Sequence, residues 1–160
     1  MDRAEILGLR RALSAVIQGA TAVFGDNGVD DRYGLLDDVL VAGIDAFDTG
    51  MVYAGTLGTC DGRLGSWIAE RGIRHDVMVI GKGCHPSPPD WSVSRVRPEC
   101  VAEDLDRTLD RMGTDYLDLW LFHRDDTAVP VDELVDAAAE LVGAGLADAW
   151  GVSNWTVDRP

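Results

Sequence analysis

Leu109-Asp-Arg-Met-Gly-Thr-Asp-Tyr-Leu-Asp-Leu-Trp-Leu-Phe-His123 decides the fold class of this 160-residue chain. It runs from the end of an amphipathic helix, across one glycine, into a strand. Upstream, Pro98-Glu99 opens a stretch in which Val101, Leu105, Leu109 and Met112 recur at helical spacing, and Gly113 closes it. Proline in the first turn and glycine after the last are ordinary helix punctuation. Beyond the glycine, residues 116–123 read as a strand whose side chains alternate between two faces. Leu117, Leu119 and Leu121 share a face with His123, and Asp118, Trp120 and Phe122 share the other.

The same helix-glycine-strand unit occurs three more times. One helix carries Leu35, Leu36, Val39 and Leu40 and stops at Gly43; the next carries Leu64, Trp67 and Ile68 and stops at Gly72. The last follows Pro130, carries Leu134, Ala138, Leu141 and Val142, and stops near Gly145. The strands are 44–49, 77–81, 116–123 and 147–152, with a first strand at 15–19. Five strands alternating with four helices predict a parallel sheet with helical crossovers. Residues 77–81 are apolar at nearly every position, as expected when both faces are covered. The one long irregular stretch, 83–97, holds His85-Pro86-Ser87-Pro88-Pro89-Asp90-Trp91. Connections this long are often functional.

Composition narrows the function classes. The chain is 46% hydrophobic, which excludes a disordered tail or a disulfide scaffold as the main reading. Acidic residues number 28 against 14 basic ones, for a formal charge of -14. Such a surface repels phosphate backbones and anionic lipid, so nucleic acid and membranes are poor partners. Arg10-Arg11 before the apolar stretch 12–24 imitate an export signal. Ser14, Gln18, Gly19 and Thr21 interrupt that stretch, and a strand fits it better. Cys60, Cys84 and Cys100 form no CxxC pair, so a reducing cytoplasm is the expected location. Lys82 is the only lysine. Arginine cannot lose its proton and does not replace a compact ammonium, which singles this position out.

In parallel α/β folds, chemistry collects at the carboxyl ends of strands. Here those ends carry Gly19-Ala20-Thr21, Asp48, Lys82, His123 and Ser153-Asn154. Apolar rows lead to polar tips: Ile44 and Ala46 to Asp48, and Leu117, Leu119 and Leu121 to His123. A filled barrel with its site at the rim has this pattern.

The strings Gly43-Ile-Asp-Ala-Phe-Asp-Thr-Gly-Met-Val-Tyr53, Ile80-Gly-Lys82, Leu109 to His123, and Gly145 to Asn154 together resemble the aldo-keto reductase family. The resemblance runs from about residue 16 to the chain end. It implies a partial TIM (β/α)8-type barrel and an active centre of Asp48, Tyr53, Lys82 and His123. It implies that Asp48, Ser153 and Asn154 lie near a nicotinamide, the last two on its carboxamide, with Gly19 and Thr21 also on the cofactor side. NADPH is the expected cofactor, NADH is the alternative, and no metal is needed. The substrate is a small-molecule carbonyl, an aldehyde or ketone, with Trp91 and Trp155 as candidate pocket walls. Two departures from the family pattern are Gly50, where alanine is commoner, and Tyr-Ala-Gly at 53–55, where Tyr-Gly is. Little consequence is expected of either.

The chemistry asks for these residue types. Hydride delivered to a carbonyl carbon leaves charge on oxygen, which must receive a proton. A phenol holds a proton at neutral pH, and a neighbouring ammonium is expected to lower its pKa towards useful acidity. Lys82 has that role towards Tyr53, Asp48 holds Lys82, and His123 meets the carbonyl oxygen.

A barrel of this type needs about 250 residues. Residues 1–160 therefore read as a single incomplete domain, truncated after the fifth strand. In the family, the later half carries the grip on the cofactor's pyrophosphate and adenosine phosphate. A half-barrel leaves inward leucines without partners and two open sheet edges, which invite self-association. The fold alternative is an open flavodoxin-like sheet. The functional alternatives are a cofactor-sensing regulatory or partner subunit, and an inactive fragment.

Overall fold

The computed structural model describes residues 1–25, 32–55 and 57–159. A short antiparallel hairpin comes first, β1 (Arg3–Ala4) against β2 (Leu13–Ser14). Five strands follow: β3 (Ile17–Gly19), β4 (Ala46–Asp48), β5 (Met78–Gly83), β6 (Leu117–Phe122) and β7 (Ala147–Val152). The helices are α1 (Ala20–Phe24), α2 (Arg32–Val41), α3 (Thr59–Arg71), α4 (Pro98–Met112) and α5 (Val131–Gly143). The four expected helices are α2 to α5. The stop glycines Gly43, Gly72, Gly113 and Gly145 all have positive φ, the conformation that ends a helix and that glycine adopts without strain. The hairpin and α1 were not foreseen. Two-residue strands and a five-residue helix are too short to show a hydrophobic period. The first two sheet strands are also shorter than expected.

The strands lie side by side in chain order, β3-β4-β5-β6-β7, each parallel to the next. This is barrel order. A flavodoxin-like sheet would set its first strand between the second and third, so that alternative does not apply. The helices pack on one another in turn, α3 on α4 and α4 on α5. Their apolar faces join Phe47, Val79, Trp120 and Phe122 in one core. Gly65 lets α3 and α4 touch, since a Cβ there would lie 2.2 Å from the Met112 carbonyl oxygen. Among the described residues no helix is long and apolar enough to cross a membrane.

The other sheet face carries Ala46, Met78, Ile80, Leu119 and Ala149. The expected loss of partners on this face is smaller than anticipated. Leu13 covers Ala46 and Met78, and Leu9 packs against both patches. Leu117 departs from the simple alternation. It lies in the helix-side core against Gly81, where a Cβ would sit 2.5 Å from Leu117 Cδ1. Next to it the Val79 amide donates to the Asp118 carboxylate at 2.8 Å, and this side-chain bond accompanies the break in the pattern. As expected, β3 and β7 are each paired on one side only among the described residues.

Candidate active site

Parallel register assembles the rim. Asp48 at the end of β4 stands opposite Gly19 of β3 and Ile80 of β5. Lys82 is two residues beyond Ile80 and therefore on the same face. Past the end of β6, the His123 amide donates to the Gly83 carbonyl at 2.9 Å. Past β7, the Ser153 amide donates to the Phe122 carbonyl at 2.8 Å. Asp48, Lys82, His123 and Ser153 thus come to adjacent strand ends from positions far apart in the chain.

Tyr53 arrives from the loop after β4, in a 3-10 turn over Tyr53–Gly55. Its amide donates to the Gly50 carbonyl at 3.0 Å. Lys82 Nζ donates to the Tyr53 hydroxyl at 2.8 Å, is ion-paired with Asp48, and approaches the Thr49 carbonyl at 3.4 Å. The Tyr53 and His123 rings meet edge-on, with centroids 5.5 Å apart. The four residues named from sequence therefore form one cluster. A Cβ on Gly50 would lie 3.5–3.6 Å from Tyr53, His123 and Lys82, which is ordinary contact, so glycine there leaves a small gap. Ala54 is different. Its φ of 61° is left-handed, so the alanine in Tyr-Ala-Gly carries backbone strain that glycine would not, contrary to the expectation of little consequence.

Burial governs the electrostatics. Lys82 is 6% exposed, and burial pushes its pKa down to about 8. His123 is pushed down to about 3, by burial first and then by the charges of His85, Lys82 and Arg124. It is therefore a neutral imidazole near pH 7, with one N–H to offer. Tyr53 corrects the sequence reading. Burial, with Cys60 and Asp61 in support, outweighs the Arg124 charge and holds the phenol above its ordinary value. Tyr53 keeps its proton at neutral pH.

The cofactor-side residues fit a primary amide. Asn154 Nδ2 donates to the His123 carbonyl at 2.9 Å and to Ser153 Oγ at 3.1 Å. The Ser153 hydroxyl proton is left as a donor beside the Asn154 oxygen, an acceptor, which is the pairing a carboxamide requires. Above Gly19 a Cβ would meet nothing within 4 Å among the described residues. Thr21 lies exposed on α1 with its hydroxyl beside Cys60.

The two tryptophans part ways. Trp91 stacks edge-on against His85 at 6.1 Å, and His85 lies 4.7 Å from the His123 ring. Trp91 thus reaches the cluster through His85. Trp155 packs on Phe122 at 5.8 Å and under Arg159, and lines an apolar groove with Trp150 and Leu134. Phe122 belongs to the helix-side core, so Trp155 does not wall the carbonyl pocket and that expectation is corrected. Sequence reasoning missed His85 and Arg124. The available signal was their position, within three residues of Lys82 and directly after His123.

A model of the aldo/keto reductase family matches residues 16–159. A protein of Oryza sativa subsp. japonica named as a probable voltage-gated potassium channel subunit beta is 31% identical over 160 residues. The match covers 95% of this chain and 45% of that protein. Aldo-keto reductase YhdN of Bacillus subtilis is 31% identical over 121 residues, covering 73% of this chain and 35% of its own. The holo form of an aldo-keto reductase from Bacillus halodurans superposes with a TM-score of 0.82 at 24% identity, over 96% of this chain and 50% of that one. A thermostable aldo-keto reductase in complex with the inhibitor epalrestat gives 0.80 at 27% identity, over 99% and 56%. This chain spans less than half the length of these curated relatives. With the barrel strand order and the assembled rim, these matches identify the chain as a member of the aldo/keto reductase family.

Proposed function

We propose that this chain carries the proton-donating centre of a nicotinamide-dependent reductase acting on aldehydes or ketones, with NADPH as cofactor. One observation carries the reading: Lys82 Nζ lies 2.8 Å from the Tyr53 hydroxyl while ion-paired to Asp48. A bound nicotinamide supplies hydride to the carbonyl carbon. Tyr53, protonated at neutral pH, gives its proton to the carbonyl oxygen. The Lys82 ammonium stabilises the phenolate that remains, and Asp48 holds that ammonium in place. Neutral His123 directs its one N–H at the developing oxyanion, so the charge meets a donor that is already oriented. Ser153 and Asn154, at the same strand end, would hold the carboxamide of such a cofactor.

The test is Tyr53→Phe, assayed by NADPH oxidation with an aldehyde. Loss of a positioned general acid lowers turnover by about 10²–10⁴-fold. The thermal transition should stay in place, because the ring and its packing are kept. Unchanged turnover sinks the assignment of the acid. A second reading, a cofactor-sensing partner subunit, is supported by the similarity to proteins named as potassium channel β subunits. It predicts NADPH binding with no carbonyl-dependent oxidation.

A further inference from the structure

One cation beside the rim, Arg124, takes no part in that chemistry. In a chain with 28 acidic and 14 basic residues, several arginines are held by carboxylates. Arg74 is held by Asp118, Arg95 by Asp104 and Arg107 by Glu103. Arg124 is exposed and directly follows His123, yet among the described residues it forms no ion pair. The nearest carboxylates in sequence are engaged elsewhere. Asp125 is bound by Arg159 Nε at 3.1 Å, and Asp126 turns back on its own loop to accept from the Ala128 amide at 3.0 Å. The Arg124 backbone is fixed, because the Trp155 indole N–H donates to its carbonyl at 3.0 Å.

The Arg124 charge acts on both Tyr53 and His123, the two groups that flank the carbonyl oxygen. The other cation, Lys82, is engaged within the cluster by Asp48 and Tyr53. On the far side of His123, His85 donates from Nδ1 to the Pro86 carbonyl at 2.7 Å, which leaves its other ring nitrogen open. Arg124 is thus a charge without an ion pair among the described residues, directly beside His123 on a strongly acidic chain. A guanidinium is a planar fork of donors suited to carboxylate and phosphate oxygens.

We propose that Arg124 selects carbonyl substrates that carry an anionic group, a carboxylate or a phosphate, near the reacting carbon. This deepens the reductase reading and rests on it. The anion docks on Arg124 and turns the carbonyl oxygen towards Tyr53 and His123.

Matched substrates test it. 4-Carboxybenzaldehyde is compared with its neutral methyl ester, and glyceraldehyde 3-phosphate with glyceraldehyde, on the unaltered chain, Arg124→Leu and Arg124→Lys. The unaltered chain should favour the charged member of one pair by about five- to tenfold in kcat/KM, mostly through KM. Leucine should abolish that preference, and lysine should restore part of it. The responding pair identifies the anion as carboxylate or phosphate. An absent preference, or one that survives in Arg124→Leu, overturns the proposal. Calorimetric binding of the two charged aldehydes separates this from failure of the reductase reading. Arg124-dependent binding without turnover keeps anion recognition and discards reduction, whereas binding that ignores Arg124 discards the proposal itself.

Discussion

Replacing Lys82 with methionine is expected to stabilise this chain at neutral pH while removing its chemistry. Burial brings Lys82 from 10.5 to about 8. At about 1.36 kcal/mol per decade of proton affinity, holding the ammonium charged inside the fold costs about 3.4 kcal/mol. Methionine has a similar length and no charge. It leaves Asp48, whose side chain is 29% exposed, without its ion pair, and Tyr53 without its hydrogen bond. Those losses offset about 1–2 kcal/mol. The net gain is about 1–2 kcal/mol, or about 2–8 °C in Tm for a domain of this size. The pH dependence gives the sharper test. The folded-state pKa lies below the unfolded one, so between about pH 8 and pH 10.5 the unfolded chain binds more protons and stability rises with pH. The raised Tyr53 opposes this above about pH 10, and the buried thiols of Cys60 and Cys84, also raised, oppose it from about pH 9, where free thiols begin to ionise. Urea unfolding followed by tryptophan fluorescence from about pH 7 to pH 10 reads both effects. Measured against Lys82→Met, in which the thiols are the same, the unaltered chain should gain stability steadily across that range. Parallel pH profiles, or a variant less stable at neutral pH, would refute the reasoning.

Ala54→Gly removes a left-handed alanine beside the acid. Relief of about 1–2 kcal/mol, less the entropy glycine adds to the unfolded state, should raise stability by about 0.5–1 kcal/mol in the same unfolding assay. Gly65→Ala forces a methyl onto the Met112 carbonyl and should destabilise by about 2–3 kcal/mol, with α3 and α4 pushed apart. If the chain turns over, kcat/KM should fall on an alkaline limb near pH 8 as Lys82 loses its proton. His123 should give no acid limb until about pH 3, and a limb from His123 near pH 6.5 would contradict its neutral state.

The barrel order could be read from particular residues. Gly43, Gly72, Gly113 and Gly145 each adopt the positive φ that their place after a helical stripe implies. Asp48 and His123 stood out because each ends an apolar row, and Lys82 because it is the only lysine; strand register then brings them together. What stayed hidden depends on loops and on interruptions of the ladder. Trp155 follows Ser153-Asn154 closely, yet the turn at Asn154, with φ of 63°, precedes a half-buried side chain that packs against the helix-side core. The period of two along β6 placed Leu117 with His123, but the Asp118 carboxylate takes the Val79 amide and the pattern breaks there. Burial at Tyr53 depends on what folds over it, and spacing alone carries no record of that. His85 and Arg124 sit in loops, where no periodicity points to a neighbour.

The central claim is that this chain folds and presents a nicotinamide-binding rim. A thermal melt of the 160-residue chain with increasing NADPH tests it most directly. A ligand that binds only the folded state stabilises by about 2.7 kcal/mol at a hundredfold excess over its dissociation constant. The account predicts one cooperative transition whose midpoint climbs with NADPH. A cooperative transition that stays fixed at every NADPH concentration would contradict it.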